Sequence, residues 1–183
     1  MSETLKVDLC VIGAGSGGLS VAAGASQLGA STVLIERGLM GGDCLNYGCV
    51  PSKALLAAAR RAKSARAAEV FGVRATVTID FPAVMRHVQG VIAAIAPHDS
   101  AERFAGLGVR VIKEKACFAG PHEVIAGDIT IRARRIVIAT GSRPVAPAIP
   151  GLAQTPYLTN ETIFDNTVLP EHLLIIGAGP IGL

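Results

Sequence analysis

The run Leu5-Lys6-Val7-Asp8-Leu9-Cys10-Val11-Ile12 is rich in strand-forming residues and stops abruptly at Gly13-Ala14-Gly15-Ser16-Gly17-Gly18. From Leu19 to Leu28 the chain is alanine-rich and helix-prone; Gly29 ends that segment, and Thr32-Val33-Leu34-Ile35 forms a second apolar strand closed by Glu36. Strand, glycine turn, helix and strand in that order make a βαβ unit, which requires a parallel sheet with helices packed against it. The order constrains the fold more than any other feature of the chain.

It also assigns each glycine a mechanical task. Gly13 permits the tight turn, Gly15 lets backbone N–H groups approach a pyrophosphate, and Gly18 lets the helix pack closely on the strand. The helix N-terminus adds partial positive charge. Glu36 lies eighteen residues after Gly18, at the end of the second strand, where a carboxylate can accept hydrogen bonds from ribose hydroxyls. A dinucleotide ligand is the expectation.

Composition narrows the remaining classes. With 50% hydrophobic and 17% charged positions in 183 residues, the chain can bury an ordinary domain core and is not disordered. A net charge of +3, from seventeen basic and fourteen acidic residues, is too small and dispersed for a nucleic-acid partner. The densest basic run, Arg60, Arg61, Lys63 and Arg66, is interleaved with alanines and reads as a solvated helix face. The N-terminus has no basic region ahead of an apolar core, so it is not a secretory signal. No apolar stretch approaches the roughly 20 residues that cross a bilayer, so a cytoplasmic address is expected.

In such a compartment four cysteines are redox-active, metal-binding or buried before they are a structural disulfide framework. Two of them, in Gly41-Gly42-Asp43-Cys44-Leu45-Asn46-Tyr47-Gly48-Cys49-Val50-Pro51-Ser52-Lys53, stand five positions apart. A disulfide needs Cα atoms about 4.4 to 6.8 Å apart. Five residues span about 16 Å as a strand and rise about 7.5 Å along a helix, so the backbone must compact. Asn46-Tyr47-Gly48 supplies turn-tolerant residues, and Pro51 suits the first turn of a following helix. The two sulfurs can therefore meet at a helix N-terminus, where the dipole and Lys53 favour a thiolate. The motif reads as a redox switch. Its alternative is a metal site, although zinc takes four ligands at shorter pair spacings. Cys10 and Cys117 fall in predicted strands and read as inert core thiols.

Downstream, residues 51 to 69 form a helix-prone segment, and a second helical pattern from Phe81 to Pro97 places Val84, Met85, Val88, Val91, Ile92 and Ile95 on one apolar face. Short strands follow at 109–113, 123–125, 128–131 and 136–139, with turns at Gly120-Pro121 and Gly127-Asp128. Ala139-Thr140-Gly141-Ser142-Arg143-Pro144 ends the last of them, and prolines at 144, 147, 150 and 156 mark a rigid surface crossing. Leu173-Leu174-Ile175-Ile176 then reads as a fresh strand before Gly177-Ala178-Gly179-Pro180-Ile181-Gly182, a second copy of the glycine spacing. That placement suggests the front part of a longer protein, cut as a second dinucleotide-binding unit begins.

Taken together, the two glycine motifs, Glu36, the cysteine motif and 139–144 resemble the class I pyridine nucleotide-disulfide oxidoreductases, the family of dihydrolipoamide dehydrogenase, mercuric reductase and glutathione reductase. The likeness spans almost the whole chain, and the cysteine motif is its most specific part. It implies an α/β fold: a Rossmann-like FAD-binding domain with a parallel sheet and a small antiparallel β-meander over 1–150, a linker over 151–172, and the start of an NAD(P)-binding domain over 173–183.

The resemblance further implies FAD held by Gly13, Gly15, Ser16, Gly18, Glu36, Gly42, Asp43, Lys53, Ala116, Thr140 and Gly141, with NADH or NADPH as electron donor. Cys49 would lie nearer the flavin, Cys44 would be the thiol that meets substrate, and Lys53 would lie beside the flavin. The implied substrate is a small dithiol or disulfide, or mercuric ion, and the implied full-length assembly is a homodimer. The fragment would otherwise act only as a non-catalytic FAD-binding module. Asp43 departs from the family's usual Thr and places a carboxylate beside the first cysteine, opposing thiolate formation. The family's catalytic His belongs to a C-terminal interface domain. His87, His98, His122 and His172 match no family motif and read as surface residues.

Overall fold

The computed structural model describes residues 3–182. The elements run β1 (Glu3–Ile12), α1 (Ser16–Gln27), β2 (Thr32–Ile35), α2 (Gly42–Asn46), α3 (Cys49–Arg66), α4 (Phe81–Ile95), α5 (Ala101–Gly106), β3 (Val109–Ile112), β4 (Ala116–Gly120), β5 (Glu123–Ala126) and β6 (Ile129–Ile138). They fall into two compact units, Met1–Asn46 with Ala93–Arg143, and Tyr47–Ile92 with Pro144–Leu183.

The first unit is a six-stranded sheet in the order β3-β2-β1-β6-β5-β4. β3, β2, β1 and β6 are parallel, whereas β6, β5 and β4 form an antiparallel meander. The parallel sheet expected from the βαβ pattern and the small antiparallel meander implied by the family resemblance are both present. β2, between β1 and β3, is buried on both faces along its whole length, as an interior parallel strand requires. Cys10, Val33, Ile35, Ile112, Val124, Ala126 and Ile131 make one core cluster. The alternate residues Val11 and Leu34 turn to the opposite face, where Leu19 and Ala22 of α1 and Phe104 of α5 close over them.

Two expected strands, 128–131 and 136–139, are one strand of ten residues. The intervening Arg132-Ala133-Arg134-Arg135 reads as a polar break, yet its alternation buries Ala133 and exposes Arg132 and Arg134. β1 supplies a partner along the entire length, from Glu3 opposite Ile129 to Ile12 opposite Ile138. A second departure is Cys117. It is exposed rather than core, because β4 is the edge strand and Cys117 pairs with Ile125, itself on the open side of the meander. Cys10 is fully buried as expected.

The second unit packs α3 against α4 through Ala54, Met85 and Val88, with Leu55, Val91, Ile92 and Phe164 around them. This is the apolar face that the helical spacing in 81–97 predicts. The amide of Gln89 also donates to the Phe164 carbonyl at 3.0 Å. The basic residues of α3 and the histidines His87, His98, His122 and His172 are exposed. Residues 173–176 were expected as a strand, but they are not hydrogen-bonded into one among the described residues and lie exposed. Apolar sequence alone does not make a strand; a ladder partner must satisfy its backbone. No helix of the described residues is long and apolar enough to cross a membrane.

α4 begins where Asp80 accepts the Ala83 N–H through Oδ1 at 3.0 Å, while the Asp80 carbonyl receives the Val84 N–H at 3.0 Å. That is an N-cap, and removing it leaves an N–H of the first turn without its protein partner. Asp80→Ala is expected to lower unfolding stability by about 1 kcal/mol, with Asp80→Ser largely sparing it, as read from urea midpoints.

Candidate functional site

The carboxyl ends of three parallel strands converge on the first glycine loop. The Gly13 N–H donates to the Ile35 carbonyl at 2.8 Å, and the Ala139 N–H donates to the Ile12 carbonyl at 2.8 Å. Gly13, with φ +104°, presses against the chain leaving β6: a Cβ there would collide with the Ala139 carbonyl. A Cβ on Gly18 would collide with the Gly13 carbonyl and lie 3.3 Å from the Ala139 side chain. Both glycines are therefore required by backbone contact as well as by the turn itself.

A second segment closes on the same loop. The Gly41 N–H donates to the Ala14 carbonyl at 2.9 Å, and Gly15 and Gly41 form an isolated parallel bridge. Gly42 has φ +58°, and a Cβ there would lie 2.5 Å from the Gly15 Cα. The Asn46 amide pins this approach by donating to the carbonyls of Met40 at 3.0 Å and Gly42 at 2.8 Å. Sequence reading gave Asn46 only a turn role. Its capacity to tie α2 to the preceding loop depends on a fold-back that no spacing announces.

The resulting surface is bare backbone. The N-cap of α1, Gly15, has no side chain to cap the helix, and the N–H groups at the start of this twelve-residue helix are a suitable cradle for an anionic pyrophosphate.

Glu36 borders this cradle at the end of β2. Its Oε2 accepts the Ala14 N–H at 2.7 Å, and its Oε1 accepts the Gly38 N–H at 2.6 Å. A carboxylate offers about four lone-pair sites; two are taken here, one on each oxygen, which leaves one per oxygen for a vicinal diol. Ser16 and Asp43 are exposed at the starts of α1 and α2, and Thr140 and Gly141 follow β6 on the surface. Ala116 opens β4 and packs against the Cys10 core cluster.

The first unit thus assembles Gly13, Gly15, Gly18, Glu36 and Gly42 around one loop. Cys44, half-buried on α2, belongs to this unit; Cys49 and Lys53 belong to the second. Cys49, an exposed free thiol, is the first residue of the eighteen-residue α3, with the Ser52 N–H donating to Gly48 at 3.1 Å. The expected turn before a helix start is thus realised, and Pro51 lies in the first turn of α3. Cys10 is sealed in the core, and burial pushes its thiol up to about 11. No three His, Cys, Asp or Glu side chains among the described residues cluster as a metal site requires.

The second glycine motif repeats the device of the first. Gly177 has φ +115°, and a Cβ on Gly182 would collide with the Gly177 carbonyl, as Gly18 does with Gly13. The two glycines stand five positions apart in each case.

A family model described as pyridine nucleotide-disulphide oxidoreductase matches residues 7–183. The chain is 43% identical over 183 residues to a mercuric reductase of Streptomyces lividans, covering 96% of this chain and 39% of that protein. It is 34% identical over 186 residues to a dihydrolipoyl dehydrogenase of Halobacterium salinarum, covering 96% and 38%. Among solved structures, the HOCl-induced flavoprotein disulfide reductase RclA from Escherichia coli, as its Cu(II) complex, aligns with a TM-score of 0.78 at 27% identity over 96% of this chain and 37% of that one. The chain thus spans about two-fifths of the length of these proteins.

Two glycines of α1 provide an internal test of the cradle. Gly18→Ala is expected to destabilise the fold by about 3 kcal/mol or more, because the new methyl meets backbone that cannot rotate away. Gly24, with nothing within 4 Å of its added Cβ, is expected to gain roughly 0.5–1 kcal/mol as Gly24→Ala. Thermal melts of the two variants should move in opposite directions.

Proposed function

Because the chain belongs to the pyridine nucleotide-disulphide oxidoreductase family, we propose that it is the FAD-binding portion of an NAD(P)H:disulfide oxidoreductase whose redox-active pair is Cys44 and Cys49. The observation that carries this reading is the bare-backbone cradle at Gly13, Gly15, Gly18 and Gly42, bordered by a carboxylate with one acceptor site left on each oxygen. It fits a dinucleotide: pyrophosphate against backbone N–H groups, ribose on Glu36.

When bound, FAD supplies a two-electron relay between a nicotinamide and a disulfide. The protein's part is positioning and thiol chemistry. Gly13, Gly15, Gly18 and Gly42 admit the diphosphate, Glu36 orients the ribose, and Ser16, Asp43, Ala116, Thr140 and Gly141 complete the FAD-binding segment. Lys53, one turn after Cys49 on α3, sets positive charge beside the flavin, and Cys49 is the cysteine nearer to it. Reduction of the Cys44–Cys49 disulfide by two electrons leaves two sulfur nucleophiles. Cys44, as thiolate, then attacks a substrate disulfide and displaces one substrate thiolate; Cys49 attacks the mixed disulfide, re-forming the Cys44–Cys49 bond and releasing the second. With mercuric ion as substrate the same pair offers two soft sulfur ligands. A small dithiol, a disulfide or mercuric ion is the substrate class, on the strength of the mercuric reductase and dihydrolipoyl dehydrogenase relatives.

Residues 151–172 link this domain to an NAD(P)-binding module that opens at 173–183. The repeated glycine geometry at Gly177 and Gly182 supports that assignment. The active protein is read as a homodimer.

Two measurements test the proposal. In fluorescence titrations with FAD, the chain should bind with one-to-one stoichiometry, and Glu36→Ala should weaken binding by tenfold or more, since hydrogen bonds to a charged group are worth about 1.5–3 kcal/mol; an unchanged affinity would remove the ribose role. In a thiol map of the air-oxidised protein at pH 8, Cys44 and Cys49 should resist alkylation until reduction. Cys117 should label in the native state, and Cys10 only after unfolding. Labelling of both Cys44 and Cys49 before reduction would sink the redox pair.

A further inference from the structure

The strand end beside Glu36 carries a lysine that none of the roles above uses. Lys113 directly follows β3, and its ammonium group donates to the Gly38 carbonyl, 75 residues away in sequence. The same Gly38 donates its N–H to Oε1 of Glu36 at 2.6 Å, and the neighbouring residue of β3, Ile112, accepts the Glu36 N–H at 2.9 Å. Two consecutive residues at the end of β3 therefore hold the short segment 36–38 at both ends. Oε2 of the same carboxylate reaches Ala14 in the glycine loop.

Arg37, Gly38 and Leu39 are exposed, and an exposed loop with few packed side chains opens readily unless its backbone is tied down. Lys113 forms no ion pair among the described residues; its charge is spent on a carbonyl. A charge-assisted bond to that carbonyl fixes the Gly38 peptide, and a fixed Gly38 N–H fixes the carboxylate. A ribose diol requires both carboxylate oxygens in one orientation, so disorder in the loop would be felt as lost ribose binding.

We propose that Lys113 is a positioning residue that orients the Glu36 carboxylate for its ribose ligand through Gly38. The inference rests on the reading of Glu36 as the ribose acceptor. Lys113 does not touch the ligand; it acts through the 36–38 backbone. The competing role for any lysine near a diphosphate is simple attraction of the anion, which would act without Glu36.

Amide hydrogen exchange in the cofactor-free 183-residue chain isolates the positioning step. Lys113→Met should speed exchange at Gly38 and Ala14 by about fivefold, and Lys113→Arg, which keeps a cationic donor, should not. FAD titrations then test the ligand role: Lys113→Met should weaken binding about fivefold in the wild-type background, Lys113→Arg should restore it, and Lys113→Met should cost nothing further in a Glu36→Gln background. Unchanged exchange at Gly38 and Ala14 overturns the inference, whatever FAD does. An equal loss of affinity in both backgrounds also overturns it, since Lys113 would then act on the anion directly. If the wild-type chain binds no FAD while exchange responds as expected, the proposed function falls and with it the ribose role, and only the clamp on 36–38 is supported.

Discussion

The first unit depends on backbone meeting backbone where Gly13, Gly18 and Ala139 touch. The turn after β1, the start of α1 and the exit from β6 occupy a space that no Cβ can enter. Closing that space lets α1 lie on the sheet, with Leu19 and Ala22 over Val11 and Leu34. It also leaves the helix N-terminus facing outward at the carboxyl ends of the strands, where open α/β sheets bind ligands. The contact that packs the helix thus also shapes the loop to which the proposed function assigns the diphosphate.

Around that contact the site is assembled by hydrogen bonds that run between sequence-distant segments. Glu36 holds the glycine loop through Ala14, Asn46 folds the start of α2 back on Met40, and Gly42 lies against Gly15. The carboxylate therefore has two tasks. It stabilises the loop conformation through Ala14 and, in the proposed function, offers its remaining lone pairs to the ribose. The recurrence of the glycine contact at Gly177 and Gly182 shows the same steric rule applied a second time in one chain.

Much of this was legible in the sequence because its causes are local. A strand that ends in glycines, a helix that follows and an acid at the end of the next strand have fixed spacings, and β1, α1, β2 and the apolar face of α4 lie where those spacings put them. The misreadings share a different cause. Arg132-Ala133-Arg134-Arg135 looks like a break because charge suggests solvent, whereas pairing with β1 carries the strand through it after pairing with β5 has ended at Arg132. Cys117 looks like core because it is apolar in a strand, but an edge strand has an open face. Leu173–Ile176 looks like a strand because it is apolar, but strand formation is decided by a partner.

By itself the sequence determined the βαβ order, the positions where only glycine fits, the acid at the end of β2 and the cysteine pair whose second member opens α3, because each follows from residue type and separation along the chain. The family likeness rests on those same residues. Only the tertiary structure decided that Glu36 is already bonded to Ala14 and Gly38, that Gly42 closes against Gly15, and that Lys113 reaches Gly38 from β3. These contacts join segments up to 75 residues apart, and their geometry is set by strand order and register, which residue spacing along one chain does not encode.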